Sequence, residues 1–177
     1  MHEPTVDSHA PILGSRQLRW ADEADCAAYA CKTAAAVASP SRPELANAYI
    51  ELHGNLGAGK TTFVRHLLRA LGVQSRIKSP TYTVMEAYDL PGLSRLPGLP
   101  DGVASHFDFY RFTDPREWVD AGFREVFAEP GLKLAEWPEN AQAMLPVADL
   151  RLYIEANVDD SRSVRLEAGT MLGLALL

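Results

Sequence analysis

A glycine-rich segment at residues 54–62, Gly-Asn-Leu-Gly-Ala-Gly-Lys-Thr-Thr, places the tightest constraint on what this chain can fold into. It matches the phosphate-binding loop pattern G-x-x-x-x-G-K-[ST] at every position. Its glycines permit backbone turns that are closed to residues with a β-carbon, so that successive N–H groups converge on an anion. The segment therefore predicts a binding site for a nucleoside triphosphate.

The residues on either side give this loop the surroundings it requires. Residues 48–53 form a short run with Tyr, Ile and Leu that is typical of a buried strand. After the loop, apolar residues recur at helical spacing and Gly72 supplies a C-cap. A strand, a loop and a helix in this order favour a phosphate site, with the positive N-terminal end of the helix added, over a glycine-rich turn without a ligand.

Two side chains inside the loop carry the chemistry. Lys60 is placed to reach between the β- and γ-phosphates as a point charge. The Thr61 hydroxyl is placed to ligate magnesium.

Two acids lie in or at the end of predicted strands downstream. Asp108 falls inside the aromatic run 104–111, where a buried carboxylate needs a partner or a cation. It is a candidate to ligate magnesium, to hold a metal-bound water or to accept a proton. Glu136 ends the strand predicted within residues 132–138 and is a second candidate for the magnesium shell, since ligands of α/β sheets gather beyond the carboxyl ends of strands.

Weaker candidates surround these two acids. Ser79 and Thr81 flank a proline and fit either a γ-phosphate sensor or an ordinary Ser/Thr turn. His106 shares a strand face with Asp108, which is weak support for a two-residue metal site. Arg111 is a candidate to neutralise transition-state charge or to pair with an acid.

Length and composition predict one cytoplasmic domain. The chain has 177 residues, 47% of them hydrophobic and 23% charged, and a net charge of -6 that argues against a broad basic surface for nucleic acid. We expect residues 1–14 to be a disordered tail rather than a signal peptide, and residues 15–177 to form the domain. The final apolar residues are too few to span a bilayer. Cys26 and Cys31 are five positions apart and favour reduced thiols.

Other segments predict the rest of the fold. The expected elements are a strand at 15–20, a helix capped by Asp22 or Asp25 and ending near Ser39, a strand at 82–89, a helix starting within 113–117, and a β-hairpin at 149–167. Residues 90–102 are rich in Pro and Gly and predict a surface loop.

Four blocks in series resemble the TsaE (YjeE) family. They are the glycine-rich loop, Ser-Pro-Thr-Tyr-Thr at 79–83, His-Phe-Asp-Phe-Tyr-Arg at 106–111 and Glu-Trp-Pro-Glu at 136–139. The resemblance covers roughly residues 15–168. It implies a P-loop NTPase-like α/β domain with a mixed, mostly parallel sheet, helices on both faces and a C-terminal β-hairpin.

The resemblance also implies an activity and partners. It implies a magnesium-dependent ATPase, weak alone, that supports threonylcarbamoylation of adenosine 37 in tRNA. In the family this ATPase works with TsaD and TsaB and meets tRNA only through that complex. We expect a monomer when free. The nucleotide-binding residues that the resemblance implies are Leu56, Gly57, Ala58, Gly59, Lys60, Thr61 and Thr62. It implies that Thr61 and Glu136 ligate magnesium. It also implies that Lys60, Glu136 and Asp108 act in catalysis, with Asp108 orienting or activating the attacking water.

Three other classes remain open on the residues alone. A small-molecule kinase also needs a phosphate loop and a strand-end acid, but residues 111–124 contain only three arginines, Arg111, Arg116 and Arg124, short of a dense lid. A GTPase-like switch would need an Asn-Lys-x-Asp sequence, which the chain does not contain. A scaffold that holds ATP without hydrolysing it is the third. The long 90–102 loop and the extended N-terminus depart from the family pattern and put the geometry of the partners in doubt.

Overall fold

Alternating and continuous apolar runs fold into one sheet with helices on both faces. The computed structural model describes residues 11–93 and 102–177. Its strands are β1 Gly14–Trp20, β2 Tyr49–His53, β3 Met85–Asp89, β4 Val103–Asp108, β5 Leu132–Glu136, β6 Leu150–Ala156 and β7 Arg162–Ala168. Its α-helices are α1 Glu23–Val37, α2 Lys60–Ala70, α3 Pro115–Asp120, α4 Phe123–Ala128 and α5 Met171–Leu174.

The sheet has the strand order β1-β7-β6-β2-β5-β4-β3. The four central strands, β6, β2, β5 and β4, run parallel to one another. The pairings of β1 with β7, β6 with β7 and β3 with β4 are antiparallel. The mixed sheet and the C-terminal hairpin are confirmed. The predicted excess of parallel pairing holds only for the centre, because both edges of the described sheet are closed by antiparallel neighbours.

Two hydrophobic cores lie on opposite faces of the sheet. One packs α1 and α2 against aliphatic residues of the central strands, with Phe63, Leu67 and Leu134 fully buried. The other is largely aromatic and packs α3 and α4 against β4 and β5, around Phe107 and Trp118. The sheet is therefore held from both sides, which fixes the ends of its strands.

Local signals account for the element ends. The Asp22 side chain accepts a hydrogen bond from the Asp25 N–H at 3.1 Å and caps α1. Gly72 follows the end of α2 with φ 96°, as the predicted C-cap requires. The strand expected from Tyr82 begins only at Met85, because residues 81–83 form a turn in which the Val84 N–H donates to the Pro80 carbonyl at 2.7 Å.

The aromatic run at 104–111 is shorter as a strand than predicted. β4 ends at Asp108, whose carboxylate accepts a hydrogen bond from the Tyr110 N–H at 2.9 Å and turns the chain out of the sheet. Residues 1–10 of the expected tail and residues 94–101 of the expected loop lie outside the described part. Gly14, placed in the tail by the sequence, is already the first residue of β1.

The aromatic core generates a stability prediction. Phe107 is fully buried and its ring lies 4.9 Å from Phe127 and 5.3 Å from Phe123, centroid to centroid. Phe107→Ala should lower the free energy of unfolding by about 3–5 kcal/mol, since the cavity it leaves cannot close fully. Urea denaturation measures this change. Val158→Ala, in the exposed turn of the β6–β7 hairpin, is the control and should stay within about 0.5 kcal/mol of the parent; an equal loss in both variants would contradict the prediction.

Candidate active site

The glycine-rich loop joins the end of β2 to the start of α2. Gly59 stands at the N-cap of α2 with φ 112° and open space around its α-carbon, so the backbone conformation alone requires glycine. Gly54 has φ 146°, and a β-carbon there would lie 2.4 Å from the Ile154 carbonyl oxygen. The loop therefore depends on both its own conformation and its close packing against β6.

Lys60 is buried at the base of the loop with 4% of its surface exposed. Its Nζ donates to the carbonyl oxygens of Gly54 and, at 3.0 Å, of Asn55, and it lies 4.2 Å from the centroid of the Trp137 ring. Burial lowers the pKa of the Lys60 ammonium, and the surrounding carboxylates, Glu136 first, oppose that shift. The loop thus encloses a cation next to the sheet edge.

The Thr61 hydroxyl and Glu136 meet at this edge. Thr61 Oγ1 lies 2.8 Å from Oε1 and 2.9 Å from Oε2 of Glu136. β2 and β5 are parallel neighbours with Leu52 opposite Glu136, so the acid at the end of β5 stands beside the loop that follows β2. A hydroxyl and a carboxylate are both hard oxygen donors, which suits magnesium.

Asp108 ends the next strand along the sheet, directly opposite Glu136. Its side chain is 3% exposed and accepts hydrogen bonds from the Ser79 hydroxyl and, at 3.3 Å, from the Thr81 hydroxyl. The two hydroxyls are 3.0 Å apart. The Ser79–Thr81 turn is therefore attached to the second acid of the site.

The weaker candidates have other contacts. In the described part of the chain His106 and Asp108 share no hydrogen-bond partner, and His106 Nε2 lies 2.9 Å from Glu136 Oε1. Within residues 11–93 and 102–177 no group of three His, Cys, Asp or Glu side chains is arranged to hold a metal ion. Arg111 stacks on the Tyr82 ring at 4.7 Å, whereas the sequence predicted either charge neutralisation or an acidic partner.

Trp137 follows Glu136 and borders the site. Its backbone has φ 53° and ψ 45°, the left-handed region that a bulky residue rarely adopts. Its ring contacts the Lys60 ammonium and lies 4.9 Å from the Tyr110 ring. The ring is half-buried, packs against the aromatic core and touches the loop lysine.

A polar group beside the loop was missed by the sequence reasoning. His53, the last residue of β2, has Nε2 at 3.0 Å from Glu51 Oε2 and Nδ1 at 3.6 Å from Glu139 Oε2. These side chains line a cavity of about 590 Å³ together with Arg151 and Tyr153. The alternation of Glu51 and His53 along β2 was the available signal, because residues two apart in a strand share a face.

The charge state of His53 follows from these neighbours. Burial opposes protonation of the imidazole, but the Glu139 and Glu51 carboxylates outweigh it and raise the pKa of His53 above its ordinary value. The same contact lowers the pKa of Glu139 against the effect of its own burial. When the ring is protonated, an ion pair therefore lies next to Gly54, the first residue of the loop.

Two simpler properties complete the description. Cys26 and Cys31 are both free thiols, and burial raises the pKa of Cys26 to about 12. In the described part of the chain, none of the helices combines the length and the hydropathy needed to cross a membrane.

Comparisons with known proteins agree on one family. The family model described as threonylcarbamoyl adenosine biosynthesis protein TsaE matches residues 21–164. The tRNA threonylcarbamoyladenosine biosynthesis protein TsaE of Haemophilus influenzae is 41% identical over 124 residues, 70% of this chain and 72% of that protein. The protein of the same name from Bacillus subtilis is 35% identical, covering 67% of this chain and 68% of its own length. The crystal structure of Bacillus subtilis YdiB superposes with a TM-score of 0.65 at 26% identity, over 92% of this chain and 94% of that one.

The ion pair of His53 predicts a pH dependence of stability. Because the pKa of His53 is higher in the folded chain than its ordinary 6.5, its ion pairs contribute stability that is fully present below pH 6.5 and is lost as the pH rises through the folded-state value. The parent should therefore exceed His53→Gln in free energy of unfolding by more at about pH 6 than at about pH 9. Denaturation at both pH values measures the difference.

An NMR titration of the histidine ring provides the control. Glu139→Gln removes one of the two carboxylates and should lower the pKa of His53. A stability difference that is the same at both pH values would contradict the assignment of this ion pair.

Proposed function

Because this chain belongs to the TsaE family of threonylcarbamoyl adenosine biosynthesis proteins, we propose that it is a magnesium-dependent ATPase required for N6-threonylcarbamoylation of adenosine 37 in tRNA. Its fold is then a P-loop NTPase-type domain. The observation that carries the proposal is the convergence of Lys60, Thr61 and Glu136 at one edge of the sheet. A loop lysine, a hydroxyl and a strand-end acid are the groups that bind and polarise a nucleoside triphosphate.

The loop binds the phosphates. Backbone N–H groups of residues 56–62 and the positive end of α2 face the anion, and the Lys60 ammonium compensates charge on the β- and γ-phosphates. Thr62 adds a contact from the first turn of α2. Because Lys60 is buried among carbonyl oxygens, its charge interacts through a medium of lower polarity than water and is screened less.

Thr61 and Glu136 are the residues that would hold the metal ion. Both side chains offer oxygen atoms, and they are already within hydrogen-bond distance of each other. A magnesium ion held there would supply positive charge that offsets the charge of the phosphates. Glu136 is 3% exposed, so it binds its partners without competition from bulk water.

Asp108 orients the attacking water or accepts its proton. It stands beside Glu136 at the end of the neighbouring strand, which places a second carboxylate on the same edge. The Ser79 and Thr81 hydroxyls hold its Oδ2, leaving the carboxylate fixed in direction. The turn that carries these hydroxyls is connected to the acid in the manner expected of a segment that senses the γ-phosphate.

The partners proposed are TsaD and TsaB, in the cytoplasm, with tRNA reached only through them. The net charge of -6 supports an indirect role toward tRNA, since direct binding to a polynucleotide relies on basic surface. In this proposal ATP hydrolysis by this chain resets the complex between turnovers, and the transfer to tRNA is performed by TsaD.

Substitutions in the site separate binding from turnover. Lys60→Ala should abolish ATP binding because the phosphate charge loses its compensation. Asp108→Ala and Glu136→Ala should retain much of the binding and lower kcat by about 10²–10⁴-fold. Calorimetric titration and phosphate release measure the two effects. Asp120→Ala, on the exposed side of α3, is the matched acid control; retained hydrolysis in both site acids would contradict the catalytic assignment.

Stimulation by partners tests the pathway. The purified chain with ATP and magnesium should hydrolyse slowly alone and faster when TsaB, TsaD and tRNA are added, and Glu136→Ala should remove the increase. Phosphate release measures both conditions. No stimulation, with phosphate appearing instead on a small acceptor, would replace the proposal with a small-molecule kinase.

A further inference from the structure

One buried group in contact with the candidate site has no role in the scheme above. His106 lies in β4, fully buried, on the sheet face that carries α2. Its Nε2 is 2.9 Å from Glu136 Oε1. Its Nδ1 is also buried and has no hydrogen-bond partner among the residues that the structure describes.

The two nitrogens together assign the tautomer. A carboxylate oxygen can only accept, so the nitrogen facing Glu136 must carry a proton. A neutral imidazole carries one ring proton, so the unpartnered Nδ1 is then the unprotonated nitrogen. His106 therefore donates from Nε2 to Glu136.

This donation fixes the direction of Glu136. Among the described side chains, the Glu136 carboxylate has two hydrogen-bond partners. The Thr61 hydroxyl lies within hydrogen-bond distance of both carboxylate oxygens, and His106 bonds only to Oε1. Because His106 of β4 bonds to Oε1, Oε2 has the Thr61 hydroxyl as its single hydrogen-bond partner among the described residues. Without His106 the carboxylate could rotate about its last torsion, a broad and weakly restrained angle.

We propose that His106 is a positioning residue that orients Glu136 for the metal ion through its Nε2–H. The inference rests on the proposed function, because it assigns the metal to Thr61 and Glu136. His106 itself contacts neither substrate nor metal. Partners of this kind behind a metal-ligating carboxylate are worth about 10–100-fold in metal affinity or activity.

The competing explanation is a histidine that only fills space between β4 and α2. Two substitutions separate the two. His106→Gln keeps an N–H donor at about the position of Nε2, whereas His106→Leu keeps the volume and removes the donor. His66→Leu is the matched control, because His66 forms a surface pair with Glu23 at the same distance of 2.9 Å.

The experiment measures ATP-analogue affinity without magnesium and then the magnesium concentration that half-saturates binding and turnover. His106→Leu should leave the magnesium-free affinity unchanged and raise the half-saturating magnesium concentration by about 10–100-fold. In His106→Gln the half-saturating magnesium concentration should stay within a few-fold of the parent value, and in His66→Leu it should equal that value. Long-range ¹H–¹⁵N NMR of the nucleotide-free parent chain should show the ring proton on Nε2.

Each other result has a definite meaning. An unchanged magnesium requirement in His106→Leu, or a ring proton on Nδ1, overturns the positioning role while the proposed function stands. A parent chain that binds nucleotide with no dependence on magnesium, or binds none, overturns the proposed function and this role with it. If His106→Leu does not fold, the test rests on His106→Gln and on the NMR spectrum of the parent. A His106→Gln variant that needs more magnesium than the parent overturns the inference. A parental magnesium requirement in that variant, together with a ring proton on Nε2, supports it.

Discussion

The parallel pairing of β2, β5 and β4 is the constraint on which the site depends. Parallel neighbours end at the same edge of a sheet, so the glycine-rich loop after β2, Glu136 at the end of β5 and Asp108 at the end of β4 are brought together by register. A slip of one residue in either pairing would turn the acid to the opposite face. The two cores that pack on the sheet therefore stabilise the positions of the loop and the two acids as well as the fold.

The buried polar side chains of the site are tolerated because each makes at least one hydrogen bond. Lys60, His106, Asp108 and Glu136 are each at most 4% exposed, and removing such groups from water is costly unless they are hydrogen-bonded. Glu136 accepts from Thr61 and His106, and Asp108 accepts from the Ser79–Thr81 turn and the Tyr110 N–H. Removing one member of such a hydrogen-bonded set leaves its buried partner with an unpaired polar group, which is costly.

How much of this was predictable depends on whether the signal was local. The loop, the flanking strand and helix, and the C-terminal hairpin follow from short-range patterns and were predicted. Glu136 could be chosen because ligands of α/β sheets gather beyond the carboxyl ends of strands, and Asp108 because a carboxylate inside a predicted strand needs a partner or a cation. The contact of His106 with Glu136 and the stacking of Arg111 on Tyr82 depend on side chains from different elements. No pattern in a single segment carries such information, and the sheet order that decides it is a property of the whole chain.

The arrangement of Lys60 bears on how strongly the proposed nucleotide can bind. Its Nζ already donates to the carbonyls of Gly54 and Asn55 and lies over the Trp137 ring. A phosphate must exchange for these contacts, so only the difference between the two sets contributes to affinity. Trp137 is itself held next to Glu136 in a backbone conformation that costs about 1–3 kcal/mol. Because Trp137 directly follows Glu136 in the chain and its ring lies over the Lys60 ammonium, a displacement of the end of β5 also alters the surroundings of Lys60.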